Sequence, residues 1–130
     1  MPAANIQPDG QLISQWHIRK GATFVKDYVW KTGPDELTVV PVDLSGWTAR
    51  AQVREKYDSA TALLDITTTP GVHGVITLSA LGEIVITVPA SATTGITATK
   101  GVFDLELVDG AGFVKNFAGG AVVFYPEVTR

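Results

Sequence analysis

Residues 47–54, WTARAQVR, alternate strictly: Trp47, Ala49, Ala51 and Val53 lie on one side of an extended chain, and Thr48, Arg50, Gln52 and Arg54 on the other. On a helix the same residues scatter around the circumference and leave no apolar stripe. The stretch therefore reads as a strand with one buried face, and such a strand needs neighbours to satisfy its amides. GEIVITVP (82–89) sets Ile84, Ile86 and Val88 against Glu83, Val85 and Thr87. GVFDLELV (101–108) sets Phe103, Leu105 and Leu107 against Val102, Asp104 and Glu106. Asp109-Gly110 then signals a hairpin into FVKNF.

Weaker strand signals fill the rest. ISQWHIRK (13–20) places Trp16 and Ile18 on one face. After Gly21, ATFVKDYVWK aligns Phe24, Lys26, Tyr28 and Trp30. LTVVPVDL (37–44) contains Pro41, which has no amide to give a ladder, so an edge or bulged strand is expected there. LLDITTT (63–69), VHGVITL (72–78, with Gly74 as a candidate bulge) and AVVFYPEV (121–128) follow the same logic. Residues 90–101 are expected to hold at most one helical turn, capped by Ser91. Seven to nine short strands at spacings of about 8–12 residues, with almost no helix and no βαβ alternation, predict an all-β fold, a single antiparallel β-sandwich of immunoglobulin-like class. Residues 1–15, with two prolines and a PDG turn signal, are expected to form an N-terminal arm, and residues 16–130 the sandwich.

Composition narrows the chemistry. The 130 residues contain no cysteine, which removes disulfides, thiolate metal sites and cysteine nucleophiles. A net charge of −3 without a basic block argues against nucleic-acid binding. No apolar run approaches the roughly 20 residues of a membrane-spanning helix. The opening MPAANIQPDGQ lacks the basic start and apolar centre of a signal peptide, so synthesis in the cytoplasm is expected.

No catalytic, cofactor-binding or metal-binding set emerges. The two histidines, His17 and His73, lie in no triad-like pattern, and LSGWT and LSALG are not nucleophile elbows. Asp104 and Glu106 are spaced along one strand face like paired glycosidase carboxylates, but alternate positions on a wet strand are ordinarily polar. If strand 102–108 neighbours strand 48–54, Arg50 and Arg54 are expected to pair with these acids. Trp47, in line with Ala49, Ala51 and Val53, is expected to anchor the core. Trp16 and Trp30 are left for an interface, or for a sugar-stacking platform if the chain is a carbohydrate-binding module.

A further pattern lies in the order of the strands. GATF at Gly21–Phe24, DLSGWTARAQVR at Asp43–Arg54, LLDI at Leu63–Ile66, GEIVITVPA at Gly82–Ala90 and GVFDLELVD at Gly101–Asp109 follow one another with short spacers. This series resembles a recurrent family of small tailed-bacteriophage proteins, similar to the immunoglobulin-like N-terminal domain of phage baseplate upper proteins. The resemblance covers about residues 18–128 and consists of strand signatures, with no catalytic motif among them. It implies a non-enzymatic virion structural protein, assembled in the host bacterial cytoplasm and present in several copies. Its partners would be tail, baseplate or connector subunits. With no shaft or receptor-binding domain after the sandwich, an adaptor role is expected, with capsid decoration as the alternative. The residues expected at the protein interface are Ile6, Leu12, Ile13 and Trp16 from the arm region, Trp30, and Val39, Val40 and Pro41 from the proline-marked edge. Neither nucleic acid nor membrane is expected as a partner, and no cofactor.

Overall fold

The computed structural model describes residues 11–33 and 37–128. In chain order the strands are β1 (Leu12–Ile13), β2 (Trp16–Arg19), β3 (Phe24–Val29), β4 (Lys31–Thr32), β5 (Val40–Pro41), β6 (Thr48–Arg54), β7 (Leu64–Thr67), β8 (Val75–Leu78), β9 (Glu83–Val88), β10 (Lys100–Val108) and β11 (Val114–Tyr125). A single 3₁₀ turn, Ala90–Ala92, stands between β9 and β10. Its N-cap is Pro89, with no side-chain cap, so Ser91 lies inside the turn and does not cap it.

Two sheets pack face to face, as the alternation demands. The larger runs β1-β11-β10-β6-β7, with β2 also on β11; the smaller runs β3-β9-β8; β4 and β5 form a two-stranded ribbon. The inward faces are those marked in the sequence. Ala49, Ala51 and Val53 of β6 meet Phe103, Leu105 and Leu107 of β10 in antiparallel register, opposite Ile84, Ile86 and Val88 of the smaller sheet, and all of them are buried. The sandwich is immunoglobulin-like, and all-β apart from the one 3₁₀ turn.

It is not purely antiparallel. β1 and β2 both run parallel to β11, one after the other along its edge, with Leu12 beside Ala118 and Trp16 beside Val122. Residues Leu12–Ile13, expected in the arm, thus form a strand of the larger sheet; Ile6 lies outside the described residues. The seam depends on Gly120, whose φ is +154° and whose Cβ, if present, would run into the Ser14 carbonyl oxygen. Only glycine allows that approach where the first strand steps from β1 to β2.

β11 is longer than the sequence suggested. FVKNF and AVVFYPEV were expected as separate strands, but Val114–Tyr125 is continuous across Gly119-Gly120. The glycines mark the close crossing of β1 and β2, not a turn. A register shift between Leu105 and Glu106 leaves Phe117 as an extra residue on β11, and Phe117 and Ala118 are both buried in consequence. The β10–β11 loop turns on Gly112, with φ +90°, three residues after Asp109. The Asp109 Oδ1 accepts the amides of Ala111 and Phe113, both at 2.9 Å.

The tryptophans sort differently from expectation: Trp16 is fully buried, and Trp30 and Trp47 are half-buried against the core. Trp16 is the central anchor, at 0% exposure, stacked on Phe103 with ring centroids 4.0 Å apart. Such a side chain is worth about 3–5 kcal/mol on truncation, and it is not available to an interface. Trp47 precedes β6 and is only half-buried, its ring edge-on to Trp30 at 5.6 Å. Trp47 packs against the core as the alternation implies, but it stands one residue before the strand, at the sandwich rim, and so is only partly covered. The Trp16 Nε1–H donates to the Tyr28 hydroxyl at 2.9 Å, which donates in turn to the Ser14 Oγ at 2.9 Å. That chain ties the two sheets together through the core.

Candidate functional site: one end of the sandwich and one sheet face

Strand directions decide which loops share an end. β3 and β8 finish, and β6 and β9 begin, at the end that also carries the β4–β5 ribbon and the β10–β11 loop. The loops there are bonded to one another through the backbone. The Trp30 amide donates to the Gly82 carbonyl at 2.9 Å, the Val42 amide to the Trp30 carbonyl at 2.9 Å, and the Leu44 amide to the Ser79 carbonyl at 3.3 Å.

Two side-chain turns stiffen this end. The Ser79 Oγ accepts the amides of Leu81 and Glu83 at 3.1 and 3.2 Å and donates to the Glu83 Oε1 at 3.1 Å. The Asp43 Oδ1 accepts the Ser45 amide at 2.9 Å, and hydrogen bonds from the Ser45 side chain and backbone hold the Asp43 carboxyl below its ordinary value. On this frame stand Val29, Leu37, Val39, Val40, Leu81, Phe113 and Val114, all exposed, Leu37 at 96% and Leu81 at 64%. Trp30 and Trp47 fill the space beneath them, Trp30 packed edge-on against both Trp47 and Phe117.

The residues expected at an interface separate accordingly. Trp30, Val39, Val40 and Pro41 come together here; Val40 and Pro41 pair with Thr32 and Lys31 as a short exposed ribbon. Leu12 and Ile13 lie away from it on the β11 edge, Leu12 partly buried. Trp16 is in the core. Leu81, Phe113 and Val29 join them here although not expected at an interface; the signal for the first two is an apolar residue at a loop tip, in LSALGE and GAGFV.

The outer face of β7-β6-β10 carries the polar side of the alternation. Thr67, Arg50 and Glu106 form one row across three strands, and Asp65, Gln52 and Asp104 the next. Arg50 Nε reaches Glu106 Oε1 at 2.6 Å, the expected cross-strand pair. The second pair does not form, because the register sets Arg54 opposite Val102 and Asp104 opposite Gln52. Arg54 donates instead to the Ser59 carbonyl and to Gln52 Oε1, both at 2.8 Å. Asp104 accepts no hydrogen bond among the described residues. Desolvation, then repulsion from Glu106, raises its carboxyl above the ordinary value against the pull of Arg54 and Arg50.

The two histidines lie apart, each bonded to one neighbour. His17 Nδ1 meets the Tyr125 hydroxyl at 2.9 Å, and His73 Nδ1 accepts the Asp65 amide at 3.0 Å. Among the described residues no three His, Asp or Glu side chains gather as a metal site would require.

No family model matches this chain, and no curated protein matches it. Among solved structures, similar chains include the titin M3 domain (9% identity, TM-score 0.43, covering 88% of this chain and 91% of that one). Another comes from a structure titled for T cell specificity and activation by the bacterial superantigen toxic shock syndrome toxin-1 (12%, 0.44, 88% and 93%). A third is the first Ig-like domain of human CD48 (6%, 0.40, 99% and 94%). At such identities and scores these chains carry no functional argument.

Proposed function

We propose that this chain is a non-enzymatic structural subunit of a tailed-bacteriophage particle, one of several copies, assembled in the bacterial cytoplasm. It docks on a tail, baseplate or connector protein through the apolar end of its sandwich. The observation that carries the docking is that end itself: Val29, Val39, Val40, Leu81 and Phe113 exposed together on a backbone-bonded frame. Scattered apolar residues are ordinary on a surface, but a gathered set is the mark of a contact surface. A rigid one loses little conformational freedom on binding. The particle setting is supported by the ordered strand signatures from Gly21 to Asp109, which resemble the phage proteins described above.

The test is incorporation. In a phage carrying the gene, Val40→Asp and Leu81→Asp should leave the thermal unfolding of the purified protein near wild type, because both side chains are already exposed. The same variants should be depleted from purified particles. Undiminished incorporation of both would sink the docking surface, and absence of the wild-type protein from purified particles would sink the virion assignment. Electron microscopy of particles carrying a labelled copy places it on tail or head.

A further inference from the structure

The outer face of β7-β6-β10 is built like a ligand surface and has no counterpart in the docking end. Two adjoining hollows lie on it. One, of about 400 Å³, is lined by Arg50, Gln52, Asp65, Thr67, Asp104 and Glu106. The other, of about 130 Å³, adds Arg54, Val102 and Tyr57, and shares Gln52 and Asp104 with the first. Adjacent strands set these side chains about 4.8 Å apart across the sheet and roughly 7 Å apart along it, the scale of a sugar ring.

Three features are arranged for a neutral, hydroxyl-bearing ligand. Gln52 stands between Asp65 and Asp104 and lines both hollows; its Oε1 is held by Arg54, which leaves its amide NH₂ as the group with donors to offer a ligand. Asp104 offers acceptor oxygens that no described side chain uses, because the arginines beside it are engaged by Glu106, Ser59 and Gln52. Tyr57, at 81% exposure, lines the smaller hollow together with Val102, which brings an aromatic face and an apolar side chain to it. With Arg50 and Glu106 cancelling, Arg54 is outnumbered by Asp65 and Asp104, which disfavours an anionic ligand.

We infer that this face is a saccharide-binding groove, in which a neutral glycan stacks on Tyr57 and hydrogen-bonds to Asp104 and Gln52. The site differs from a Trp16 or Trp30 platform, since Trp16 is in the core and Trp30 lies under the docking end. A glycan held here and a protein held at the apolar end occupy separate surfaces of one subunit.

The test is affinity electrophoresis of the purified protein in gels cast with dextran, mannan, galactomannan or xyloglucan, with polygalacturonate as the anionic comparison. Retardation is expected in at least one neutral gel. Tyr57→Ala and Asp104→Asn should each weaken it by about tenfold or more, the loss of a stacked face or a charged hydrogen bond. Leu81→Asp should migrate as wild type does, so failure of the docking surface and failure of the groove are told apart. No retardation in any neutral gel, retardation in polygalacturonate alone, or retardation unchanged in Tyr57→Ala would each overturn the inference.

Discussion

Tyr28 fastens the two sheets: its hydroxyl accepts from Trp16 on the larger sheet and donates to Ser14 beside the β11 seam. Replacing it with phenylalanine leaves the buried Trp16 N–H without a partner, and should cost about 1–3 kcal/mol in urea unfolding. Burial raises the Tyr28 phenol above its ordinary value of 10.0, against the hydrogen bonds to Ser14 and Trp16. The native state then keeps a proton that the unfolded chain releases, so stability falls as pH rises from the ordinary phenol value toward the raised one. In Tyr28→Phe that alkaline loss should shrink, as melts across the alkaline range will show. Asp104 has the same sign in the acid range. Its raised carboxyl binds protons better when folded, so stability falls as pH rises through the interval above the ordinary carboxylate value. Asp104→Asn should therefore melt at or above the wild-type temperature near pH 7, and lose that advantage near pH 3, where the wild-type carboxyl is protonated too.

Among the elements, the seam of β1 and β2 against β11 is the one most dependent on a single residue. Gly120→Ala asks an L-residue to adopt φ +154° and drives a methyl into the Ser14 carbonyl. It should destabilise by more than about 1 kcal/mol. Hydrogen exchange should show protection lost first at Trp16–Arg19, with β6 and β10 held. Equal loss across all strands would mean that the seam is not a separate unit. By contrast, the face of β6 and β10 is distributed: one ion pair, Arg50–Glu106, the Arg54 bonds to Gln52 and Ser59, and the Asp104 carboxylate with no hydrogen bond among the described residues. Exposed pairs of this kind contribute at most about 1 kcal/mol, so the polar face is free to serve a ligand.

At the scale of the molecule, the parallel seam makes the response to force directional. With no native cysteine, attachment points can be placed at will. A Gln11→Cys, Pro126→Cys variant pulled between those points loads the β1/β2–β11 hydrogen bonds along the strands, so that they must break together. A Lys20→Cys, Pro126→Cys variant pulls from the end where the Lys20 amide meets the Tyr125 carbonyl, and opens the seam one bond at a time. Single-molecule extension should give a clearly higher unfolding force for the first geometry; equal forces would refute the shear reading. The apolar end and the polar groove also belong to this scale, since each assembles residues from loops or strands far apart in sequence.

The strict alternation in β6, β9 and β10 determined by itself that these are half-buried strands and which side chains face inward, because a period of two leaves one burial choice once a face is apolar. It also indicated that Arg50 could meet Glu106. What alternation cannot encode is register, and register decided that Asp104 faces Gln52 and not Arg54, leaving its carboxylate unpaired. Nor does it carry strand partnership. The parallel lie of β1 and β2 on β11, the continuity of β11 across two glycines, and the full burial of Trp16 but not of Trp47 arise from long-range packing, where a close backbone crossing and a stacked Phe103 outweigh local pattern. The apolar end was half legible. Val40 and Pro41 announced an edge, but Leu81 and Phe113 join it only because the strand directions bring three loops to one rim.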